Sequence, residues 1–175
     1  MTGVRASSAA LAVAAIVLAA TPAAHALKVA GVYTSHRYHY SLTLPAGWRL
    51  TRATSTVAPG LFPDPLDTET DRLTAPGDKV IGIASTPVKK SETLAQWTKQ
   101  RFDAIELQFS CFQHTTGHHR IGGVVGTELT IPDCRGSWVD LEVLHGGRGY
   151  DVFWIAPHID RTAFYRVIAG FKFTS

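Results

Sequence analysis

The sequence predicts an α+β fold: an α/β/α sandwich in which two helices cover a mostly antiparallel sheet of about six strands. Residues 124–131 and 137–144 alternate between apolar and polar side chains, as strands with one buried face do. Residues 150–156 are apolar on both faces, which indicates a strand that is covered on both sides. The glycine-rich turn 146–149 joins the last two segments as a hairpin.

The N-terminal residues 1–26 have the pattern of a cleaved signal peptide. Arg5 precedes an uncharged, alanine-rich run over residues 6–20, and Ala24-His25-Ala26 matches a small-x-small cleavage site. The alternative is a membrane anchor, but the run is shorter than the roughly 20 residues that span a bilayer. We therefore expect an exported protein, periplasmic or secreted, whose residues 27–175 form one domain.

The composition limits the partners of this domain. The formal net charge is only +3, and Lys89-Lys90 is an isolated pair, so nothing indicates nucleic-acid binding. After signal cleavage no remaining stretch is long and apolar enough to span a membrane. We expect a monomer without a cofactor, whose partner is an unknown protein or small molecule.

The first part of the domain predicts two strands and a long loop. Residues 37–44 alternate cleanly, and residues 48–52 form a second strand after a Pro-Ala-Gly turn. Residues 54–78 are rich in proline and glycine, and a loop of that length is usually functional or mobile. Three apolar residues here are candidates either for the core or for contact with a ligand or partner: Trp48, Leu61 and Phe62.

A strand and two helices complete the order of elements. Residues 79–86 predict a strand that is apolar on both faces, and residues 92–108 predict an amphipathic helix with Ser91 as its N-cap. Asp160 is expected to cap a last helix that ends at Gly170.

The two cysteines, Cys111 and Cys134, predict a disulfide, because an even count in an exported protein favours pairing. In the chain-entropy model the bond would contribute about 3 kcal/mol. The alternatives are two free thiols or metal ligands, although the spacing is not that of a zinc site.

Two sets of residues could carry chemistry. Asp140 and Glu142 share one face of a strand, with Glu128 expected near them on the neighbouring strand, and two carboxylates can serve glycoside hydrolysis. The alternative is a pair of same-face neighbours on an exposed strand edge. The second set is a histidine cluster in the linker 110–120, which could bind a metal or simply be a solvated loop. Its members are His114, His118 and His119.

The order of elements resembles the PsbP-like superfamily, including the exported LpqN-type proteins of actinobacteria. The resemblance covers nearly all of residues 27–175. It implies an α/β/α sandwich that serves as a binding or accessory module rather than an enzyme, and it supplies no site residues. The matching positions are Pro45, Gly47, Trp48, Ser91, Glu92, Leu94, Gly170, Phe171 and Phe173.

The sequence therefore predicts an exported, non-enzymatic binding or accessory module of the cell envelope. No nucleophile elbow, dinucleotide fingerprint or phosphate loop is present in the sequence. The alternative is a metal-binding protein or metal-dependent hydrolase that uses the histidine cluster.

Overall fold

A computed structural model describes residues 31–58, 61–64, 67–77, 79–132 and 136–175. The predicted signal peptide lies outside these residues. Within them the chain forms ten strands and two helices. In chain order they are β1 (Val32–Ser35), β2 (Tyr40–Thr43), β3 (Arg49–Thr51), β4 (Asp71–Thr74), β5 (Val80–Pro87), α1 (Leu94–Phe109), β6 (Thr115–Ile121), β7 (Val124–Ile131), β8 (Ser137–His145), β9 (Arg148–Ala156), α2 (Arg161–Ala169) and β10 (Phe171–Phe173).

The strands form two antiparallel sheets. The larger has seven strands in the order β3-β4-β5-β9-β8-β7-β6, and the smaller has the order β1-β2-β10. The fold class is confirmed, but about six strands was too low a count. Four strands form where the sequence predicts none: β1, β4, β6 and β10. Three of them have only three or four residues and so carry little periodic pattern, whereas the seven residues of β6 are mostly exposed and polar.

Each face of the seven-stranded sheet packs against its own cover. Helix α2 and the small sheet cover one face, where Tyr40, Val152 and Phe164 belong to the same fully buried cluster. Helix α1 covers the other face, where Ile105 packs with Trp138 and Phe153. The strand β9 is thus buried on both sides, as its sequence predicted, and the sandwich follows from that.

Helix α1 begins two residues later than predicted, at Leu94, and its N-cap is Thr93 rather than Ser91. The Thr93 hydroxyl accepts a hydrogen bond from the Gln96 amide, and the Gln96 side chain accepts one from the Thr93 amide, which completes a capping box. Ser91 lies outside this helix because the chain turns at residues 90–91. The predicted cap of α2 is confirmed: the Asp160 carboxylate accepts from the Ala163 amide at 3.1 Å.

We expect Thr93→Ala to lower the free energy of unfolding by about 1 kcal/mol, since it removes one acceptor for an otherwise unpaired helix amide. Urea denaturation would measure the change. Thr116→Ala, on an exposed strand position, is the control and should have a smaller effect. Equal losses in the two variants would contradict a capping role for Thr93.

Candidate functional site

A groove of about 1020 Å³ runs along helix α1. Its other walls are the segment 56–58 and the end of β5 with the residues that follow it. We call it the α1 groove. Its volume is that of a pocket for a small molecule rather than of a packing defect.

Apolar side chains from the helix and the loop line one part of the α1 groove. Trp97 and Ala104 are buried on α1, seven residues apart and so on one helix face, and Val57 lies opposite. The Trp97 ring lies directly over Gly149, where an added Cβ would come within 2.5 Å of the ring. Glycine at this position of β9 therefore allows the indole to sit against the sheet and form the floor of the groove.

Basic side chains line another part of the α1 groove. Arg148 donates from Nε and Nη2 to the hydroxyl and the carbonyl of Ser85, both at 2.9 Å. Arg37 donates to the carbonyl of Thr54 at 3.3 Å, and Lys89 is exposed at the rim. Two guanidinium groups of the groove lining are thus hydrogen-bonded to the protein.

Arg101 connects the groove to the interior of the protein. Its side chain lines the groove but is only 3% exposed, and it donates to the carbonyl of Leu61. Its guanidinium carbon lies 4.9 Å from the centre of the Trp97 ring and 5.3 Å from that of Phe62. Its Nε lies 3.1 Å from Oδ1 of Asp151 beneath it.

Asp151 belongs to a buried group of three carboxyls, the acid cluster, formed with Asp140 and Glu142. Glu142 pairs with Asp151 across β8 and β9, and Asp140 is two residues from Glu142 on the same face. All three residues are 0% exposed, and one ligand oxygen from each lies within 4.8 Å of the others. Arg101 is the cation that faces them, so three ionised carboxylates would leave an uncompensated negative charge.

Burial is the main cause of altered acidity in the acid cluster. It raises the pKa of Asp151 to about 6, against the opposing effect of Arg101. Burial and the charge of Asp151 raise the pKa of Asp140 well above its usual range. Burial and, after it, the charge of Asp140 raise the pKa of Glu142 well above its usual range. The Thr98 hydroxyl lowers the pKa of Glu142 in part. Bound protons therefore neutralise the part of the carboxylate charge that Arg101 alone does not compensate.

Among the described residues, the acid cluster also brings together three side chains that could ligate a metal ion. Its oxygens suit a hard cation such as Ca²⁺ or Mg²⁺. However, one of the three carboxylates already pairs with Arg101.

The predicted environment of Asp140 and Glu142 was wrong. Both lie at the centre of the sheet under α1 rather than on an exposed strand. Glu128 pairs with Leu141 in the register of β7 and β8 and so faces the opposite side, where it accepts from Tyr165 at 2.7 Å and pairs with Arg161 of α2. Asp140, Glu142 and Glu128 therefore do not flank one cleft, and no two of them form the carboxylate pair that glycoside hydrolysis requires.

The structure does not assemble the predicted histidine site. His118 and His119 are neighbours on β6, so their side chains point to opposite faces. The His119 ring stacks on Tyr165 of α2 at 4.3 Å, whereas the His114 ring lies 3.8 Å from that of Phe102 on α1. The linker was expected to be a loop, and its folding as an edge strand is what separates these imidazoles.

The three predicted contact residues do not form the groove. Trp48 is 8% exposed within the main core, and Phe62 is 3% exposed against Trp138 and Phe153. Leu61 is 44% exposed, but its role in the site is indirect, through the carbonyl that binds Arg101. Of the two alternatives, a place in the core is the one that the burial of Trp48 and Phe62 supports.

The predicted disulfide stays a prediction. Cys111 is 6% exposed and packs in the cluster under α1, while Cys134 lies outside the described residues.

Sequence reasoning missed Arg101, Asp151 and the α1 groove itself. Two signals were available: Arg101 follows Trp97 by four residues on the apolar stripe of its helix, and Asp151 interrupts an otherwise apolar strand. A charged residue on the apolar stripe of α1 and an opposite charge in the apolar strand β9 indicate that the helix packs on that strand with the two charges in contact.

Comparison with solved structures shows a PsbP-like fold. The chain is similar to cyanobacterial PsbP (CyanoP) from Synechocystis sp. PCC 6803, whose solution structure matches with a TM-score of 0.56 and 12% sequence identity. The match covers 83% of this chain and 94% of the other. No family model and no curated protein matches the sequence.

Proposed function

We propose that this chain is an exported, non-enzymatic binding module of the cell envelope, from the LpqN-type branch of the PsbP-like fold, and that it holds a small ligand in the α1 groove. The groove carries the proposal: it has about 1020 Å³ of space, an apolar wall and positioned basic groups. Export is supported by the signal-peptide pattern of residues 1–26.

The positions of the acidic groups favour binding over catalysis. The perturbed carboxyls of the acid cluster are 0% exposed, out of reach of a ligand in the groove. The two acidic residues that line the groove already have partners: Glu92 accepts from Gln100 at 2.7 Å, and Asp103 pairs with Lys99 at 2.7 Å. A general acid or base must reach the reacting group of its substrate, and these groups are engaged elsewhere.

Filling the groove tests the proposal. Thr56 is exposed at the groove wall, so Thr56→Trp should occupy the cavity without disturbing the core. Thr116→Trp makes the same change on exposed strand β6, outside the groove, and is the matched control. Each purified protein would be incubated with a small-molecule extract of the cell envelope and analysed by native mass spectrometry and thermal melting.

We expect a bound mass and a raised melting temperature for the parent protein and for Thr116→Trp, and neither for Thr56→Trp. A ligand at 100 times its dissociation constant would stabilise the fold by about 2.7 kcal/mol, which shifts the midpoint by several degrees. Binding that survives in Thr56→Trp, or no binding by any of the three proteins, would contradict the proposal.

A further inference from the structure

We propose that the ligand of the α1 groove is an amphiphilic anion, a molecule with one acidic group on an apolar body. This inference rests on the proposed function and adds the chemical class of the ligand.

The acidic group is assigned to the basic side of the groove. Arg37 and Arg148 both line the groove, and each guanidinium group is hydrogen-bonded to the protein. The bonds of Arg148 to Ser85 leave its Nη1 group without a protein partner in the described part of the chain. Lys89 adds a flexible cation at the rim.

The charges of the groove do not cancel within it. Four cationic residues line it, of which Arg101 is committed to Asp151, so Arg37, Lys89 and Arg148 remain. Two acidic residues line the groove, Glu92 and Asp103. The charge of Asp103 is neutralised by Lys99, which is not a lining residue, so only Glu92 opposes the three cations. The groove therefore has an excess of positive charge, and fixed guanidinium groups suit a carboxylate, sulfonate or phosphate.

The apolar body is assigned to the apolar part of the lining. Trp97 and Leu107 of α1 contribute to it, as do Val57 and Val88 from the other walls, and Leu107 is 81% exposed. An apolar chain along this wall would cover side chains that otherwise contact water. A small inorganic anion would leave this surface uncovered.

Two probes that differ only in the head group test the class. Decanoate and decan-1-ol would be titrated into the protein by calorimetry, below the concentrations at which they aggregate. Arg37→Gln/Lys89→Gln removes two cations from the groove, and Arg120→Gln/Lys172→Gln removes two exposed cations elsewhere, so the variants match in net charge.

We expect decanoate to bind at least about tenfold more tightly than decan-1-ol, since a charge-assisted hydrogen bond commonly contributes that much. The groove variant should lose about tenfold for decanoate and little for decan-1-ol, while the control variant should keep the parent affinities. Affinity for decanoate should also fall with added salt.

Equal affinity for the two probes, with both abolished by Thr56→Trp, would overturn the anionic class and leave the proposed function standing. Failure of both probes would also overturn this class, and the envelope extract would then decide the proposed function separately. Equal losses in the two charge variants would overturn the assignment of the acidic group to Arg37 and Lys89.

Discussion

Replacing Arg101 by methionine is expected to lower the free energy of unfolding by about 3–5 kcal/mol at pH 7, the cost of leaving a buried charge without its partner. Arg101 and Asp151 are 3% and 0% exposed, and they are joined through Nε and Oδ1 at 3.1 Å. Methionine keeps most of the apolar stem between the two aromatic rings, so the variant mainly removes the charge. Guanidinium chloride denaturation would measure the loss.

The matched control is Lys99→Met on the same helix. Lys99 pairs with Asp103, but its side chain is 75% exposed. Exposed pairs contribute at most about 1 kcal/mol, so the control should change stability only slightly. Similar losses at the two positions would contradict the importance of the buried pair.

A double-mutant cycle separates the pair from its surroundings. With Asp151→Asn as the second change, the cost of Arg101→Met should fall by at least about 1 kcal/mol, because the charge that Arg101 neutralises is gone. An unchanged cost would show that Arg101 acts through Trp97, Phe62 and the Leu61 carbonyl instead.

The parts of the fold that could be predicted are those with a strong periodic pattern. The meander β7-β8-β9 followed from the alternation of β7 and β8 and from the continuous apolar run of β9, which also predicted that β9 is buried on both faces. Strand β4, only Asp71–Thr74, could not be found in this way. It is held by tertiary pairing with β3 and β5, and by Asp71, which accepts from Tyr40 at 2.8 Å.

The candidate site was less predictable because it depends on register. Nothing local to Glu128 shows that it faces α2 while Asp140 and Glu142 face α1; that follows from the pairing of Glu128 with Leu141. The histidines are separated for a different reason: the linker forms strand β6, and a strand separates imidazoles that a loop could have gathered. The groove is formed by α1, β5 and the segment 56–58, which only the folded chain brings together.

The acid cluster predicts an unusual dependence of stability on pH. Because burial raises the three pKa values in the folded state, the folded protein binds more protons than the unfolded chain over the range between the two sets of values. The cluster therefore favours folding at low pH, and its contribution is lost as the pH rises. The loss begins near the unfolded pKa values of about 4. It extends to about 6 for Asp151 and to higher pH for Asp140 and Glu142.

Asp140→Asn/Glu142→Gln replaces two carboxyls by neutral groups of the same shape, which resemble the protonated forms. At pH 4 the variant and the parent should be similarly stable. As the pH rises to 8, the variant should gain relative to the parent by up to about 1.4 kcal/mol per pH unit for each proton involved. Denaturation curves at pH 4, 6 and 8 would measure this difference.

The control is Asp103→Asn, which removes an exposed carboxylate from α1. Its difference from the parent should stay nearly constant over the same pH range, apart from the small contribution of its pair with Lys99. A parent protein whose stability did not fall relative to the double variant, but rose with added Ca²⁺ or Mg²⁺, would instead indicate that a cation neutralises the cluster. Protons and a metal ion are alternative answers to the same excess of buried negative charge, and the sign of the pH dependence distinguishes them, because raising the pH removes protons but favours metal binding.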